Sequence, residues 1–174
     1  MSIKFYSNKE KYYEFSNFYM TDIKINGQVY PSSEHYYQAM KFNNNTKDEK
    51  DYIEYIRLAS TPYKAYILAR QKGRGGRESK YYLNQNDRTL LNDLIKKYKH
   101  VKMREDWDDI KISVMKRIIR YKFKDEKLKQ LLLSTGGREL IEESPRDSFW
   151  GQWKGEGQNN LGKILMERRE KLSN

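Results

Sequence analysis

The sequence predicts a mainly α-helical α+β fold, a compact helical domain with a small β-hairpin near its N-terminal end. Asn26-Gly27 stands between two short alternating segments, which is the strongest short-range signal for a hairpin. From residue 47 onward, apolar residues recur mainly at helical spacing. No repeat or linker composition interrupts the 174 residues, so we expect one domain spanning 1–174.

The predicted elements follow in order along the chain. Residues 3–30 are expected to be extended, with IKFYS as a short strand and Pro31 ending the second hairpin strand. A helix is expected in SSEHYYQAMKF, residues 32–42, capped by Ser32 or Ser33. Further helices are predicted at 47–60, from Thr61-Pro62 to about 72, at 89–99, 108–123 and 127–134, and from about 161 to 172. The segment GRELIEES, 137–144, is expected to form one or two helical turns, and 146–160 a loop.

The helix at 108–123 has the clearest periodicity of the chain. Its predicted buried stripe consists of Ile110, Val114, Ile118 and Tyr121.

The composition excludes several kinds of site. The chain has no cysteine and two histidines, so neither a thiolate zinc site nor a multi-histidine metal site is expected. We expect no metal and no cofactor. The first residues lack the apolar run of a signal peptide, and no window approaches the roughly 20 apolar residues of a membrane span. The expectation is a cytoplasmic, monomeric protein without a membrane segment.

The net charge of +11 allows two interpretations. A basic excess favours phosphorylated or polyanionic ligands. The lysines can also serve only to solvate the helix surfaces, since an AT-rich coding sequence would produce many lysines without a binding role. The composition does not decide between them.

The helix at 32–42 carries an unusual polar stripe. Glu34, Gln38 and Lys41 recur at i, i+4, i+7 among tyrosines, opposite a core-like face. A surface contact between Glu34 and Lys41 is the plain alternative, but i, i+7 is too long for a standard helical pair. A shared face about 10 Å long is suited to gripping a ligand between its two ends.

Two aromatic segments also carry candidate binding residues. The pair Ser16-Asn17 within FSNFY is either a polar turn at a strand end or part of a site. Trp107, just before a helix, is either a core residue or a stacking platform for a base.

Two glycine-containing segments complete the candidates. The stretch 144–162 combines Asp147, which can act as acid, base or acceptor, with Trp150, which can stack, and with four glycines that permit close backbone approach. We favour a functional site there over a structural loop. In the cluster 73–77, Arg74 is a candidate phosphate ligand, although a mobile basic loop is the alternative.

Together these segments resemble the NADAR, or YbiA-like, family of N-glycosidases. The matching stretches span Phe15 to Arg169 in family order: FSNFY, DIKINGQVYP, SSEHYYQAMKF, STPYKAYILARQKGR, REDWDDIKISVMKRIIRYKF, LKQLLLSTGGRELIEESPRD, SFWG and GQNNLGKILMERR. The stretch between Arg74 and Trp107 is longer than in compact members, which leaves the choice of substrate open.

The resemblance implies cleavage of the N-glycosidic bond between a ribose and a nitrogen base. Removal of ADP-ribose from guanine bases is the expected activity, with nucleic acid as a candidate carrier. The alternative is hydrolysis of phosphoribosylamino-pyrimidine intermediates of riboflavin synthesis. A reader of ADP-ribose or nucleic acid without catalysis is the alternative from another class, although pure binding needs no matched acid and amine.

The resemblance also implies roles for individual residues. Lys41 would form a Schiff base with opened ribose, Glu34 would act as general acid and base, and Asp147 would orient ribose hydroxyls or assist proton transfer. The alternative route is an oxocarbenium-like transition state stabilised by a carboxylate. Trp107 and Trp150 would stack base or sugar. The other expected substrate-binding residues are Asn17, Phe18, Tyr37, Gly73, Arg74, Gly151 and Asn159.

Overall fold

The computed structural model describes residues 2–71 and 82–173. The α-helices in these residues are α1 (Ser33–Ala39), α2 (Lys47–Arg57), α3 (Pro62–Arg70), α4 (Gln85–Lys97), α5 (Trp107–Lys122), α6 (Glu126–Leu133) and α7 (Asn160–Ser173). The strands are β1 (Ile3–Phe5), β2 (Met20–Ile25), β3 (Gln28–Ser32), β4 (Leu140–Glu142), β5 (Gln152–Trp153) and β6 (Glu156–Gly157). The predicted mainly helical α+β class is confirmed.

The N-terminal hairpin forms where the sequence predicts it. Strands β2 and β3 pair antiparallel around Asn26 and Gly27, whose φ angles of 50° and 83° are those of a type I′ turn. Pro31 does not end the second strand, because β3 continues to Ser32. A proline is tolerated there because the sheet has two strands, so one side of each strand is an edge.

The prediction of helical turns at 137–144 is wrong. Residues 140–142 form strand β4, which pairs in parallel with β1 and places Leu140 opposite Ile3. Leu140 and Ile141 are buried, so pairing and burial override the helical preference of leucine and glutamate. The following segment, expected as a loop, contains the small β5–β6 hairpin, with Lys154 and Gly155 at positive φ between its strands.

Helix starts agree with the predicted capping residues. Ser32, rather than Ser33, caps α1 by accepting a hydrogen bond from the backbone N–H of His35. Thr61 caps α3, with Pro62 in the first helical position. Helix α4 is longer than predicted at its start, because Asn84 caps it four residues earlier than expected.

Helix α1 is shorter than predicted and lies inside the protein. It ends at Ala39, so Lys41 lies in the turn that follows rather than on the helix itself. Every residue of α1 is buried, and the helix contacts α2, α3 and α5. A helix surrounded in this way places its polar stripe among packed side chains instead of in water.

Helix α5 buries Ile118 as predicted, whereas Ile110, Val114 and Tyr121 are half-buried against the core. Its buried positions are Met115, Ile118, Ile119 and Lys122, in addition to Trp107 at its start. Lys122 thus takes a core position in the last turn of the helix. Among the residues described, no helix is long and apolar enough to cross a membrane.

Candidate active site

Glu34 lies in the first turn of α1 and is almost completely buried. Gln38, one helical turn later, donates a hydrogen bond of 2.6 Å from its Nε2 to Glu34 Oε1. Burial raises the pKa of Glu34 to about 7, although the Gln38 hydrogen bond and the charge of Lys41 act to lower it. This carboxyl group can therefore hold or release a proton near neutral pH.

Lys41 presents its amine between two aromatic rings. Its Nζ lies 5.5 Å from the ring centroid of Tyr37 and 5.8 Å from that of Trp107. Burial lowers the pKa of Lys41; the charge of Glu34 opposes this shift and that of Arg70 adds to it. Within residues 2–71 and 82–173, no carboxylate forms an ion pair with Lys41. The effect of burial therefore outweighs that of Glu34, and the amine is easier to deprotonate than an exposed lysine.

Tyr37 joins both tryptophans into one aromatic cluster. Its ring centroid lies 5.0 Å from Trp107 and 5.4 Å from Trp150, both in edge-on contacts. Trp150 Nε1 also donates a 3.2 Å hydrogen bond to the Tyr37 hydroxyl. Both tryptophans are buried, at 6% and 8% exposure. The side chain of Trp150 therefore belongs to the core, and its expected stacking on base or sugar stays a prediction.

We expect Trp150→Ala to lower the free energy of unfolding by about 3–5 kcal/mol, since it removes a buried indole and its contacts with Tyr37. Trp150→Phe should lower the free energy of unfolding by only about 1 kcal/mol, because an aromatic ring remains and one hydrogen bond is lost. Chemical denaturation of both variants measures the difference.

Trp153 provides the matched control for that comparison. It lies three residues later in the same loop and is 43% exposed, so Trp153→Ala should leave stability nearly unchanged. If Trp150→Ala and Trp153→Ala unfold at the same denaturant concentration, Trp150 has no packing role.

The loop that carries Asp147 is fastened to strand β4. Asn159 donates from Nδ2 to Leu140 O at 2.9 Å and accepts from Glu142 N at 3.1 Å. At Gly151 the backbone approaches so closely that an added Cβ would lie 2.6 Å from Glu142 O. Both residues were predicted to bind substrate; in the structure they hold the loop in place.

Asp147 uses one carboxylate oxygen to shape its own loop. Its Oδ1 accepts hydrogen bonds from the backbone N–H groups of Phe149 and Trp150, at 3.0 and 2.9 Å. Its negative charge acts to raise the pKa values of Glu34 and Lys41. Asp147 therefore shares one electrostatic environment with Glu34 on α1 and with Lys41 in the turn that follows it.

The FSNFY segment adjoins the start of α1. The carbonyl oxygen of Asn17 accepts the backbone N–H of Glu34 at 3.0 Å. The Asn17 side chain is buried, and its Oδ1 has no hydrogen-bond partner among the described residues; the same is true of Gln38 Oε1. Unpaired buried acceptors are costly, and these two oxygens are able to accept a further hydrogen bond. Phe18 beside them is half-buried.

Lys122 and Glu142 were missed by the sequence analysis. Lys122 Nζ donates a 2.8 Å hydrogen bond to Ser16 O and so supports the FSNFY segment from beneath. Burial lowers the pKa of Lys122 to about 7, and burial, with the charges of Asp147 and Glu34, raises that of Glu142 to about 8. Lys122 could have been found from the sequence, because a lysine on the apolar stripe of α5 indicates a buried charge. The sequence offered no comparable signal for Glu142, because its segment was assigned to a helix.

The structure thus brings together Glu34, Lys41, Asp147, Tyr37, Trp107, Trp150 and Asn17. Gly73 and Arg74 lie outside the described residues. Within the described part of the chain, no group of three or more His, Cys, Asp or Glu side chains could hold a metal ion. His35 is a core residue whose Nδ1 and Nε2 lie 2.8 Å from Ser32 Oγ and Ala59 O.

Comparison with known proteins identifies the family. A sequence profile of the NADAR domain family matches residues 4–173. N-glycosidase YbiA of Escherichia coli (strain K12) is 35% identical over 173 residues, covering 98% of this chain and 88% of that protein. A riboflavin biosynthesis protein of Vibrio vulnificus (strain YJ016) is 37% identical over 172 residues, covering 98% of this chain and 38% of that protein.

A solved structure agrees with the fold. The NMR structure of the E. coli protein YbiA superimposes with a TM-score of 0.72 at 32% identity, covering 99% of this chain and 87% of that chain. The resemblance drawn from the motifs is confirmed over nearly the whole chain. The chain therefore belongs to the NADAR domain family, and it is an N-glycosidase, a hydrolase acting on N-glycosyl compounds.

Proposed function

We propose that this enzyme removes ADP-ribose from guanine bases through an imine between Lys41 and the opened ribose. The observation that carries the proposal is the environment of Lys41, a half-buried amine with a lowered pKa near an acid whose pKa burial raises to about 7. An amine must be neutral to attack carbon, and a departing base must receive a proton. Lys41 and Glu34 meet these two needs.

The first step replaces the base with the amine. Neutral Lys41 Nζ attacks C1 of the ribose as the bond from C1 to the base nitrogen breaks. The electron pair of that bond stays on the base nitrogen, which takes a proton from Glu34. Glu34 is then a carboxylate, and the base leaves in neutral form.

The second step opens the sugar and the third restores the enzyme. Glu34 takes a proton from the attached nitrogen and passes it to the ring oxygen as the bond from C1 to that oxygen breaks, giving the imine. Water then adds to the imine carbon and gives one proton to the Glu34 carboxylate. The bond from C1 to Lys41 Nζ breaks as the proton of the new hydroxyl passes to Nζ, so ADP-ribose leaves as the aldehyde, Lys41 regains its neutral amine and Glu34 is protonated again. The sum is one water consumed, with free ADP-ribose and an unmodified base formed.

Neighbouring residues support this sequence by position. The Asp147 carboxylate is suited to accept hydrogen bonds from ribose hydroxyls, since only one of its oxygens receives the two backbone bonds of its loop. Asn17 Oδ1 and Gln38 Oε1 offer further buried acceptors next to Glu34. Tyr37 and Trp107 flank the amine and would cover the reacting carbon from water.

The test is to identify the products by mass spectrometry. The enzyme is incubated with ADP-ribosylated guanine in DNA, in RNA and as the free nucleoside. Free ADP-ribose together with restored guanine is expected. Retention of the intact ligand without any product would reject the proposal.

A second substrate class is favoured by a specific observation. Relatives from Vibrio vulnificus and Zea mays, 37% and 35% identical, carry the name riboflavin biosynthesis protein. Phosphoribosylamino-pyrimidine intermediates present the same bond between ribose and nitrogen, so the same three steps would release ribose 5-phosphate. Including these intermediates in the assay decides between the two substrates by their products.

A further inference from the structure

A group of tyrosines beside the candidate active site has no part in the three steps above. Tyr63, Tyr66 and Arg70 recur at i, i+3, i+7 on α3, which places them on one face about 10 Å long. The ring centroid of Tyr63 lies 6.1 Å from that of Tyr66 and 4.9 Å from that of Tyr82. Tyr82 is 64% exposed. Tyr63 and Tyr66 are half-buried and pack against the core, and Tyr82 extends this aromatic surface into solvent.

Two arginines interact with this surface, Arg70 through a contact and Arg146 through its charge. Arg70 donates a 2.8 Å hydrogen bond to the Tyr66 hydroxyl, and its charge also acts on Lys41, so it connects the surface with the candidate active site. Arg146 precedes Asp147, and its charge acts on Tyr63. Both arginines are exposed residues.

A third element completes the surface. Tyr6 follows strand β1 and is 42% exposed. Burial raises the pKa of Tyr6. Glu142 and Tyr82 also act to raise it, and the charge of Arg146 acts to lower it. Tyr6 is thus near enough to Tyr82 and Arg146 to interact with them electrostatically. We define the tyrosine rim as Tyr6, Tyr63, Tyr66, Tyr82, Arg70 and Arg146.

The combination of side chains in the tyrosine rim indicates one kind of ligand. Exposed aromatic faces stack on nucleobases whatever their sequence. Guanidinium groups bind phosphate through paired, charge-assisted hydrogen bonds. A base joined to phosphate matches both features.

We propose that the tyrosine rim binds a second nucleotide of the substrate, beyond the ribose whose bond is cleaved. Its base would stack on Tyr82 and Tyr63, and its phosphates would contact Arg70 and Arg146. This inference rests on the proposed function, since a phosphoribosylamino-pyrimidine has no second base to stack. The second nucleotide is either the adenosine diphosphate part of ADP-ribose or a neighbouring nucleotide of a nucleic acid strand.

Binding of product-like probes tests the rim independently of turnover. Calorimetric titrations compare ADP-ribose, ribose 5-phosphate and a guanine-containing DNA trinucleotide. For Tyr82→Ala we expect about ten- to hundred-fold weaker binding of ADP-ribose, the trinucleotide or both, and unchanged binding of ribose 5-phosphate. Tyr82→Phe keeps the ring and should stay within a few-fold of the wild type. Whichever probe is weakened identifies the source of the second nucleotide.

Tyr55→Ala is the matched control. Tyr55 lies on α2, is 42% exposed and packs against Tyr98 at the end of α4. Removing its side chain should therefore change none of the affinities. The rim is rejected if Tyr82→Ala binds both larger probes as the wild type does, or if it loses ribose 5-phosphate binding to the same extent. Failure of the proposed function appears separately, as an absence of product in the turnover assay despite Tyr82-dependent binding.

Discussion

Replacing Lys41 with arginine should reduce kcat on the order of 10³-fold or more while the protein stays folded. Each factor of ten corresponds to about 1.4 kcal/mol of activation free energy, and loss of a nucleophile is among the largest single effects on a rate. Arginine keeps a cation over Tyr37 and Trp107, so packing and charge are preserved. It does not deprotonate at accessible pH and so forms no imine. Steady-state kinetics and a thermal melt on the same sample separate the two effects.

Lys111 supplies the control for this substitution. It lies in the first turns of α5, pairs with Asp108 at 2.6 Å and stands 4.2 Å from the ring centroid of Phe149. Lys111→Arg preserves these contacts and should leave kcat close to that of the wild type. Full activity of Lys41→Arg would reject the imine and leave the oxocarbenium route.

Replacing Glu34 with glutamine should lower kcat by about 10²–10⁴-fold, the usual contribution of a general acid or base. The substitution should also change the shape of the pH profile. In the wild type the first step needs protonated Glu34 and neutral Lys41. The protonated fraction of Glu34 falls as the pH rises through about 7, whereas the neutral fraction of Lys41 rises with pH. The product of the two fractions gives a bell-shaped profile.

Without the Glu34 carboxyl group only the Lys41 titration remains. The profile of Glu34→Gln should therefore rise with pH and show no decline on the alkaline side. The amide is nearly isosteric, so melting should change little. If the variant keeps a bell-shaped profile, another acid donates the proton, and Glu142, with a pKa of about 8, is the first residue to examine.

The elements that the sequence predicted are those with local signals. The turn at Asn26-Gly27 and the caps at Thr61-Pro62 are decided by residues within a few positions of each other. Strand β4 had no such signal, because its pairing partner β1 lies about 137 residues earlier, as in Ile3 opposite Leu140. Long-range pairing of this kind is not encoded in local propensity.

The sequence pointed to the residues of the candidate site, but it did not predict the contacts between them. Helical spacing and the family resemblance pointed to Glu34 and Lys41, but Glu34 bonds to Gln38, and Lys41 lies beyond the end of α1. Trp150 was expected to stack on ligand from a loop, and it is a core residue in contact with Tyr37. Such contacts depend on how α1, α5 and the last loop pack together, which no single segment contains.

Trapping with borohydride tests the central claim most directly. Borohydride reduces an imine to a stable amine, so adding it during turnover of ADP-ribosylated guanosine should leave the enzyme covalently linked to ribose. Peptide mapping by mass spectrometry should place the adduct on Lys41, and Lys41→Arg should give no adduct. Turnover that continues undiminished in borohydride, with Lys41 unmodified, would contradict the account.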